Sequence, residues 1–217
     1  MITKLSNSKF LIPAMVTLVI LATGAGFYIS LKQSQNQLVQ NNETRGLFWP
    51  NPKQIKNFSA KDHNGNAFEL SNISGKWSFI FFGYTNCPDI CPITMSVMAN
   101  VYQHLANYYE NIQIIFVTVD PERDTTEKLS SYISFFDQDF IGLNGEPTIE
   151  NSLTRQIGIP YYYNKKKGNN NYLVDHSASI FVIDPKTRLI AKLSPPHQPE
   201  KIIEQFKNIK RFIDAKD

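Results

Sequence analysis

The two cysteines of this 217-residue chain, Cys87 and Cys91, both lie in the short segment GYTNCPDICP. The apolar run KWSFIFFGYT precedes them and predicts a strand that is buried on both faces. The residues after Pro92 alternate apolar positions by three and four, which predicts an amphipathic helix over Ile93–Glu110. The thiols therefore lie between a strand and a helix N-terminus, where the helix dipole favours thiolate over thiol.

Three kinds of chemistry fit two thiols at this spacing. A structural disulfide would close only a short loop, so it would stabilise the fold weakly. A redox dithiol would resemble the Cys-x-x-Cys pair of thioredoxin-type enzymes, with one residue more between the sulfurs. A metal site would use both thiolates as soft ligands and would need a third ligand. The spacing alone favours the redox and metal interpretations equally, because both exploit the strand-to-helix position.

One of the four histidines, His176, is a candidate for the third ligand. It lies in YLVDHSAS, where a loop enters the apolar segment SIFVI, and Asp175 and Ser177 on either side could orient its imidazole through a hydrogen bond. From the residues alone, a structural histidine remains the safer interpretation. The other three histidines are expected to lie outside any site: His63, His104 and His197.

The composition predicts a globular domain and gives no sign of nucleic-acid binding. Hydrophobic residues make up 42% of the chain and charged residues 19%, and the net charge is only +3. No stripe of lysine and arginine is present that could follow a phosphate backbone.

The N-terminal region predicts a membrane anchor. Residues 10–31 carry no charge, and a helix of this length spans the ~30 Å hydrocarbon core of a bilayer. We expect residues 1–9 to form a cytoplasmic tip, 32–47 a polar tether, and 48–217 the folded domain outside the inner membrane, facing the periplasm. A cleaved signal peptide is the alternative, although its apolar part is usually only ~7–15 residues long.

The order of elements in the domain predicts a mixed α/β sandwich. We expect an N-terminal β-hairpin (Ile55–Ala60 with Ala67–Leu70), a protruding loop insertion over Tyr161–Tyr172, and a C-terminal helix. Between and around them come the buried strands, further helices and an antiparallel hairpin turned at DPKT. This order matches a thioredoxin-like central sheet flanked by helices.

Three sequence blocks together resemble the Sco/SenC family of copper-binding assembly factors: FFGYTNCPDICP, VTVDPERDT and YLVDHSASIFVIDP. They occur in the family order, and the resemblance extends from about Phe48 to the C-terminus. It implies a thioredoxin-like fold and a copper ion bound by Cys87, Cys91 and His176. Two thiolates suit Cu(I), and an added imidazole also suits Cu(II).

The resemblance implies a metallochaperone rather than an enzyme, with a role in assembling the dinuclear copper centre of cytochrome c oxidase. The implied partners are the copper-site subunit of the oxidase, an upstream copper donor and the inner membrane. The alternatives are a thiol–disulfide oxidoreductase that reduces the cysteines of that subunit and, more distantly, a thiol peroxidase. When no metal is bound, we expect Cys87 and Cys91 to form a reversible disulfide.

Five acidic or basic positions in these blocks have weaker assignments. Asp175 is expected to support His176 from outside the ligand set. Asp89 is expected to be a solvated turn acid. Three residues of VTVDPERDT fit two interpretations equally well, a functional role or helix capping with a surface ion pair: Asp120, Arg123 and Asp124.

We expect the full-length chain to fractionate with membranes and to remain there after a carbonate wash, because residues 10–31 carry no charge. A variant that lacks residues 1–31 should be soluble and folded. Release of an N-terminally shortened soluble form from the full-length chain would show instead that the segment is a cleaved signal.

Overall fold

The computed structural model describes residues 15–16, 18–19, 21–30, 48–144, 151–165 and 172–215, with only the backbone of 48–51. The chain divides into two compact units, Met1–Arg45 and Gly46–Asp217. The described residues of the first unit are helical. A search of the described part of the chain finds no helix with the length and apolar character needed to cross a bilayer. The predicted tip and tether lie outside the described residues.

The second unit contains ten strands and five helices within its described residues. The strands are β1 (Phe48–Gln54), β2 (Ser59–Asp62), β3 (Ala67–Glu69), β4 (Trp77–Gly83), β5 (Ile112–Thr118), β6 (Ile141–Asn144), β7 (Tyr161–Tyr163), β8 (Val174–His176), β9 (Ile180–Ile183) and β10 (Arg188–Leu193). The helices are α1 (Leu70–Ile73), α2 (Ile90–Ala106), α3 (Thr126–Phe136), α4 (Leu153–Ile157) and α5 (Pro199–Asp214).

Eight of these strands form one mixed sheet, in the order β1-β10-β9-β4-β5-β6-β2-β3. The central strands β4 and β5 run parallel, and every side chain of both is buried. Continuous apolar runs of this kind need cover on both faces of the sheet, which the helices supply. The register pairs Gly83 with Thr118, so the carboxyl ends of β4 and β5 meet at one edge.

The long helices turn an apolar stripe towards the core. In α2 the buried positions include Met95, Met98 and Leu105, which repeat at helical spacing. In α5 the buried Phe206 meets the Trp77 ring edge-on, with the ring centroids 5.3 Å apart. Burial of such large aromatic side chains fixes both helices against the sheet.

The predicted mixed α/β sandwich and its N-terminal hairpin are confirmed, with two corrections. The hairpin is formed by β2 and β3, so its first arm begins at Ser59 rather than Ile55. The proline-containing segment before it, for which no strand was predicted, forms the edge strand β1 and pairs antiparallel with β10. Proline is tolerated on an edge strand because one side of that strand needs no ladder hydrogen bonds.

The helix after the cysteines also begins earlier than predicted. It starts at Ile90 rather than Ile93, so Cys91 and Pro92 lie in its first turn. Proline is accepted there because the first N–H groups of a helix have no intrahelical partner. Cys91 is therefore a helix residue, whereas Cys87 lies in the preceding loop.

The predicted insertion over Tyr161–Tyr172 is a hairpin whose arms are β7 and β8, with Tyr161 opposite His176. Its tip, residues 166–171, lies outside the described residues. The arms pack against the domain rather than protruding: Tyr172 is buried, and the Tyr163 hydroxyl donates to the Val119 carbonyl at 2.7 Å. His176 is the last residue of β8, and three residues separate it from β9. It therefore does not lie directly at the start of the SIFVI strand.

We expect Gly83→Ala to destabilise the domain. A Cβ at this position would lie 2.7 Å from Cε2 of Phe116 and 2.9 Å from the Cys91 sulfur, and both neighbours are fully buried. Overpacking of this kind costs about 1–3 kcal/mol, which exceeds the ~0.5–1 kcal/mol that alanine gains over glycine in a strand. The midpoint of chemical denaturation should fall.

Gly142→Ala is the matched control. Its Cβ would meet Leu129 Cγ at 2.8 Å and Ile133 Cγ1 at 2.9 Å, so stability should also fall. Only Gly83→Ala should also disturb the packing of the Cys91 sulfur. An unchanged denaturation midpoint in Gly83→Ala would show that Phe116 and Cys91 can move aside.

Candidate metal centre

Three side chains meet beyond the carboxyl end of β4. The sulfurs of Cys87 and Cys91 and a ring nitrogen of His176 all lie within 4.8 Å of one another. The Cys91 sulfur is 3.5 Å from Nε2 of His176. Cys91 is buried, whereas Cys87 and His176 are half-buried. The structure therefore brings together all three of the predicted ligands.

Two adjoining elements position the cysteines. The loop after β4 carries Cys87, whose N–H donates to the Tyr84 carbonyl at 3.2 Å. The first turn of α2 carries Cys91, and its side chain points back against the end of β4. Glycine at position 83 leaves the room for this sulfur, since any Cβ there would collide with it. The cysteines remain free thiols in this structure.

Aromatic rings hold the imidazole of His176 from two sides. The Tyr84 ring meets it edge-on with centroids 5.9 Å apart, and the Phe81 ring lies 6.1 Å away at 72°. The Nδ1 of His176 is 3.0 Å from the Ser177 carbonyl oxygen. An Nδ1–H that donates to this carbonyl leaves the lone pair of Nε2 facing the sulfurs.

The expectation that Asp175 orients His176 is corrected by this geometry. The Asp175 side chain is exposed, and its carboxylate accepts a hydrogen bond from Nδ2 of Asn164 at 2.8 Å. Neighbouring residues of a strand point to opposite faces, so a side chain next to His176 in β8 is directed away from it. The backbone carbonyl of Ser177 is the group that meets the imidazole.

The two thiols have very different acidities. A hydrogen bond from the Cys91 thiol lowers the pKa of Cys87 to about 4. The neighbouring His176 and hydrogen bonds from the backbone N–H groups of Asp89 and Cys91 act in the same direction, and burial opposes them. The same pairing with Cys87, together with burial, raises the pKa of Cys91 far above its usual range. At neutral pH the pair is one thiolate and one protonated thiol.

A buried carboxylate fixes the loop that carries Cys87. Asp124 accepts hydrogen bonds from the Thr85 N–H at 3.0 Å, the Thr85 hydroxyl at 2.6 Å and the Thr118 hydroxyl at 2.5 Å. Burial raises the pKa of this carboxyl group, although the hydrogen bonds oppose the shift. Thr85 lies two residues before Cys87, so the carboxylate restrains the backbone on which that thiolate depends.

The ion pair that was one interpretation of VTVDPERDT is present, but its predicted position at the surface is wrong, because the pair is buried. Asp120 and Asp124 are 0% and 1% exposed, and Arg123, which pairs with Asp120, is 13% exposed in its side chain. Asp89 is exposed at the N-terminus of α2, as predicted.

The remaining histidines lie outside the ligand set. His63 Nδ1 accepts from the Gly142 N–H at 3.1 Å, and His104 is exposed beside Tyr108. His197 lies in the loop before α5, and its Nε2 is 2.7 Å from the Ala178 carbonyl oxygen, so it braces the connection after His176. Sequence reasoning missed this contact because no local pattern links residues 19 positions apart.

The chain is similar to known proteins along most of its length. The sequence model of a family described as SCO1/SenC matches residues 50–211. An SCO2-like protein of Rickettsia prowazekii is 35% identical over 152 residues, which are 70% of this chain and 74% of the relative.

Solved Sco structures share the fold. Yeast Sco1 with copper bound is 30% identical, with a TM-score of 0.64 over 72% of this chain and 87% of that chain. Apo Sco1 of Thermus thermophilus is 33% identical, with a TM-score of 0.66 over 75% of this chain and 94% of that chain. The domain thus has the mixed α/β, thioredoxin-like fold of these proteins, and the match to the family model over residues 50–211 shows that the chain belongs to the SCO1/SenC family.

Proposed function

We propose that this protein is a copper metallochaperone that carries one copper ion on Cys87, Cys91 and His176. The observation that carries the proposal is the convergence of two sulfurs and one imidazole nitrogen within 4.8 Å of one another. The copper-bound yeast relative supports copper as the cargo. In this interpretation the ion is delivered, not retained for catalysis.

The donor set suits copper better than the common alternatives. Thiolate sulfur is a soft ligand that selects Cu(I), and imidazole nitrogen extends the site to Cu(II). A structural zinc site normally has four protein ligands, whereas this group has three. Cys87 is already a thiolate at neutral pH, because Cys91 and His176 stabilise its negative charge. It is therefore prepared to bind a cation.

The recipient that we propose is the copper-site subunit of cytochrome c oxidase, during assembly of the dinuclear copper centre. An upstream donor would load the site. The family resemblance supports this role, and the half-buried positions of Cys87 and His176 allow a partner's ligands to reach the ion. We further propose that residues 10–31 anchor the domain to the inner membrane on its periplasmic side, on the basis of their uncharged sequence.

A second candidate function, dithiol reduction, is favoured by the unequal acidities of the thiols. The Cys87 thiolate would attack a partner disulfide and release one partner thiolate, which takes up a proton. The Cys91 thiol, after losing its proton, would then attack the mixed disulfide. The products are a Cys87–Cys91 disulfide and a fully reduced partner. The reduced, full-length chain distinguishes the two functions: stoichiometric copper supports the chaperone, whereas rapid thiol exchange without copper binding supports the reductase.

We expect His176→Ala to weaken Cu(II) binding far more than Cu(I) binding. Two thiolates alone hold Cu(I), whereas Cu(II) prefers additional nitrogen donors. The absorption band from thiolate to Cu(II) should shift or vanish in the full-length chain, while the circular dichroism of the fold persists. Cu(I) affinity is measured by competition with a chromogenic chelator.

His104→Ala is the control, because His104 is exposed and lies on α2 outside the ligand set. Its Cu(II) spectrum should match that of the unmodified chain. Air-oxidised chain should take up copper only after reduction, since a disulfide offers no thiolate. A His176→Ala spectrum identical to the original would remove this residue from the site.

The acidity of Cys87 gives a separate prediction about pH. Iodoacetamide should alkylate Cys87 in the metal-free, reduced chain with a rate that is half-maximal at pH about 4, and Cys91 should react only after unfolding. Because folding depresses the pKa of Cys87, its contribution to stability is complete above the ordinary thiol pKa of ~8.5. That contribution falls as the pH drops towards the folded value of about 4.

Two substitutions of Cys91 test the cause of this acidity. Cys91→Ala removes the hydrogen-bond donor that lowers the pKa of Cys87 most, so the midpoint of alkylation should move upwards. Cys91→Ser retains an O–H donor and should move it less. Equal midpoints in the two variants would contradict a dominant hydrogen bond from Cys91.

A further inference from the structure

A connected cluster lies beside the proposed ligands and includes none of them: Asp120, Arg123 and Tyr172. Its members come from the connection between β5 and α3 and from the residues just before β8. We propose that this cluster positions His176 relative to the thiols and thereby sets the affinity of the site for Cu(II) over Cu(I). The inference rests on the proposed copper site.

The cluster is built around a buried carboxylate. Asp120 is 0% exposed and accepts a hydrogen bond from the Tyr172 hydroxyl at 2.8 Å. Arg123 donates to the other oxygen of the same carboxylate, and its guanidinium carbon lies 3.5 Å from the centre of the Tyr172 ring. Tyr172 is thus held by its hydroxyl and by its ring face. A buried, paired charge of this kind resists displacement, because separation would leave an uncompensated carboxylate.

Tyr172 is connected to His176 through the backbone of β8. The two residues are four positions apart, and β8 begins between them at Val174. The Leu173 carbonyl accepts from the Asn164 N–H at 2.9 Å, which continues the pairing of β7 with β8. A strand that is fixed at one end and paired along its length has little freedom to slide, so fixing Tyr172 restrains the position of the imidazole.

A second route runs through ring packing. The guanidinium of Arg123 also faces the Tyr84 ring, with its carbon 5.6 Å from the ring centre. The same Tyr84 ring packs edge-on against the His176 imidazole at 5.9 Å. Arg123 therefore contacts both Tyr172, which lies just before β8, and the Tyr84 ring, which supports the imidazole.

The same connection after β5 restrains the thiolate segment. Asp124, four residues after Asp120, fixes Thr85 through two hydrogen bonds, and the Val119 N–H donates to the Gly83 carbonyl at 2.8 Å. Both ligand-bearing segments are thus attached to residues 119–124. The spacing between the imidazole and the sulfurs depends on this shared support.

The consequence is selective because the two oxidation states need different ligands. Cu(I) is held by the two sulfurs, whose spacing does not involve β8, whereas Cu(II) needs the nitrogen of His176. Loss of the cluster should therefore weaken Cu(II) binding and leave Cu(I) binding much less affected. The exposed pair between Lys165 and Glu122, which also joins the hairpin to this connection, should contribute little.

The test uses Tyr172→Phe in the full-length, reduced chain. This substitution keeps the ring under Arg123 and removes only the hydroxyl bound to Asp120. Changes to groups that orient metal ligands typically cost 10–100-fold in affinity, so we expect about a tenfold loss for Cu(II). The thiolate-to-Cu(II) band should also shift.

Tyr102→Phe is the matched control. It also removes a tyrosine hydroxyl bound to a carboxylate, that of Asp139 at 3.3 Å, on a part of α2 well beyond the first turn. Its copper affinities and spectrum should match those of the unmodified chain. In metal-free protein, hydrogen exchange of the Asn164 amide should speed up in Tyr172→Phe and not in Tyr102→Phe.

Arg123→Lys gives an independent variant, since lysine keeps the positive charge beside Asp120 but cannot stack its plane on Tyr172. It should also weaken Cu(II) binding selectively. The inference is overturned if both variants retain the original Cu(II) affinity and spectrum, or if they lose Cu(I) and Cu(II) affinity equally. An unchanged Cu(II) spectrum in His176→Ala would instead contradict the proposed ligand set itself.

Discussion

The packing of the Cys91 sulfur against the end of β4 determines where the other groups of the site can lie. The sulfur is fully buried and approaches Gly83 so closely that even a methyl group there would collide with it. The ring of Phe116 closes the same space from β5. Since interiors are close-packed, Cys91 has no alternative position, and Cys87 and His176 must be brought to it by their own segments.

Burial also gives two chemically identical thiols different pKa values. Cys91 keeps its proton because it is buried beside the negative sulfur of Cys87. The pKa of Cys87 is lowered because the Cys91 thiol and the amides at the start of α2 donate towards its sulfur, and the neighbouring His176 acts in the same direction. The sheet edge thus yields a thiolate with a protonated thiol beside it, which is why the two proposed functions, copper binding and dithiol exchange, would use the same residues.

Much of the fold and the position of the two thiols could be predicted from local sequence, whereas the family resemblance was needed to predict His176 as a ligand. The run in β4 is apolar at every position, and the cysteines directly follow it, so the sheet edge was evident. The burial of Asp120 and Asp124 could not be predicted, because charged residues are rarely buried unless paired. Their partners are distant in sequence: Tyr172 is 52 positions from Asp120, and Thr85 is 39 from Asp124.

The difference in burial also orders the steps by which an ion could leave the proposed site. The half-buried Cys87 and His176 border solvent, whereas Cys91 is enclosed by Gly83 and Phe116. An incoming ligand can therefore approach only from the side of Cys87 and His176. In the proposed function, such a ligand would replace one of these two donors before Cys91 releases the ion.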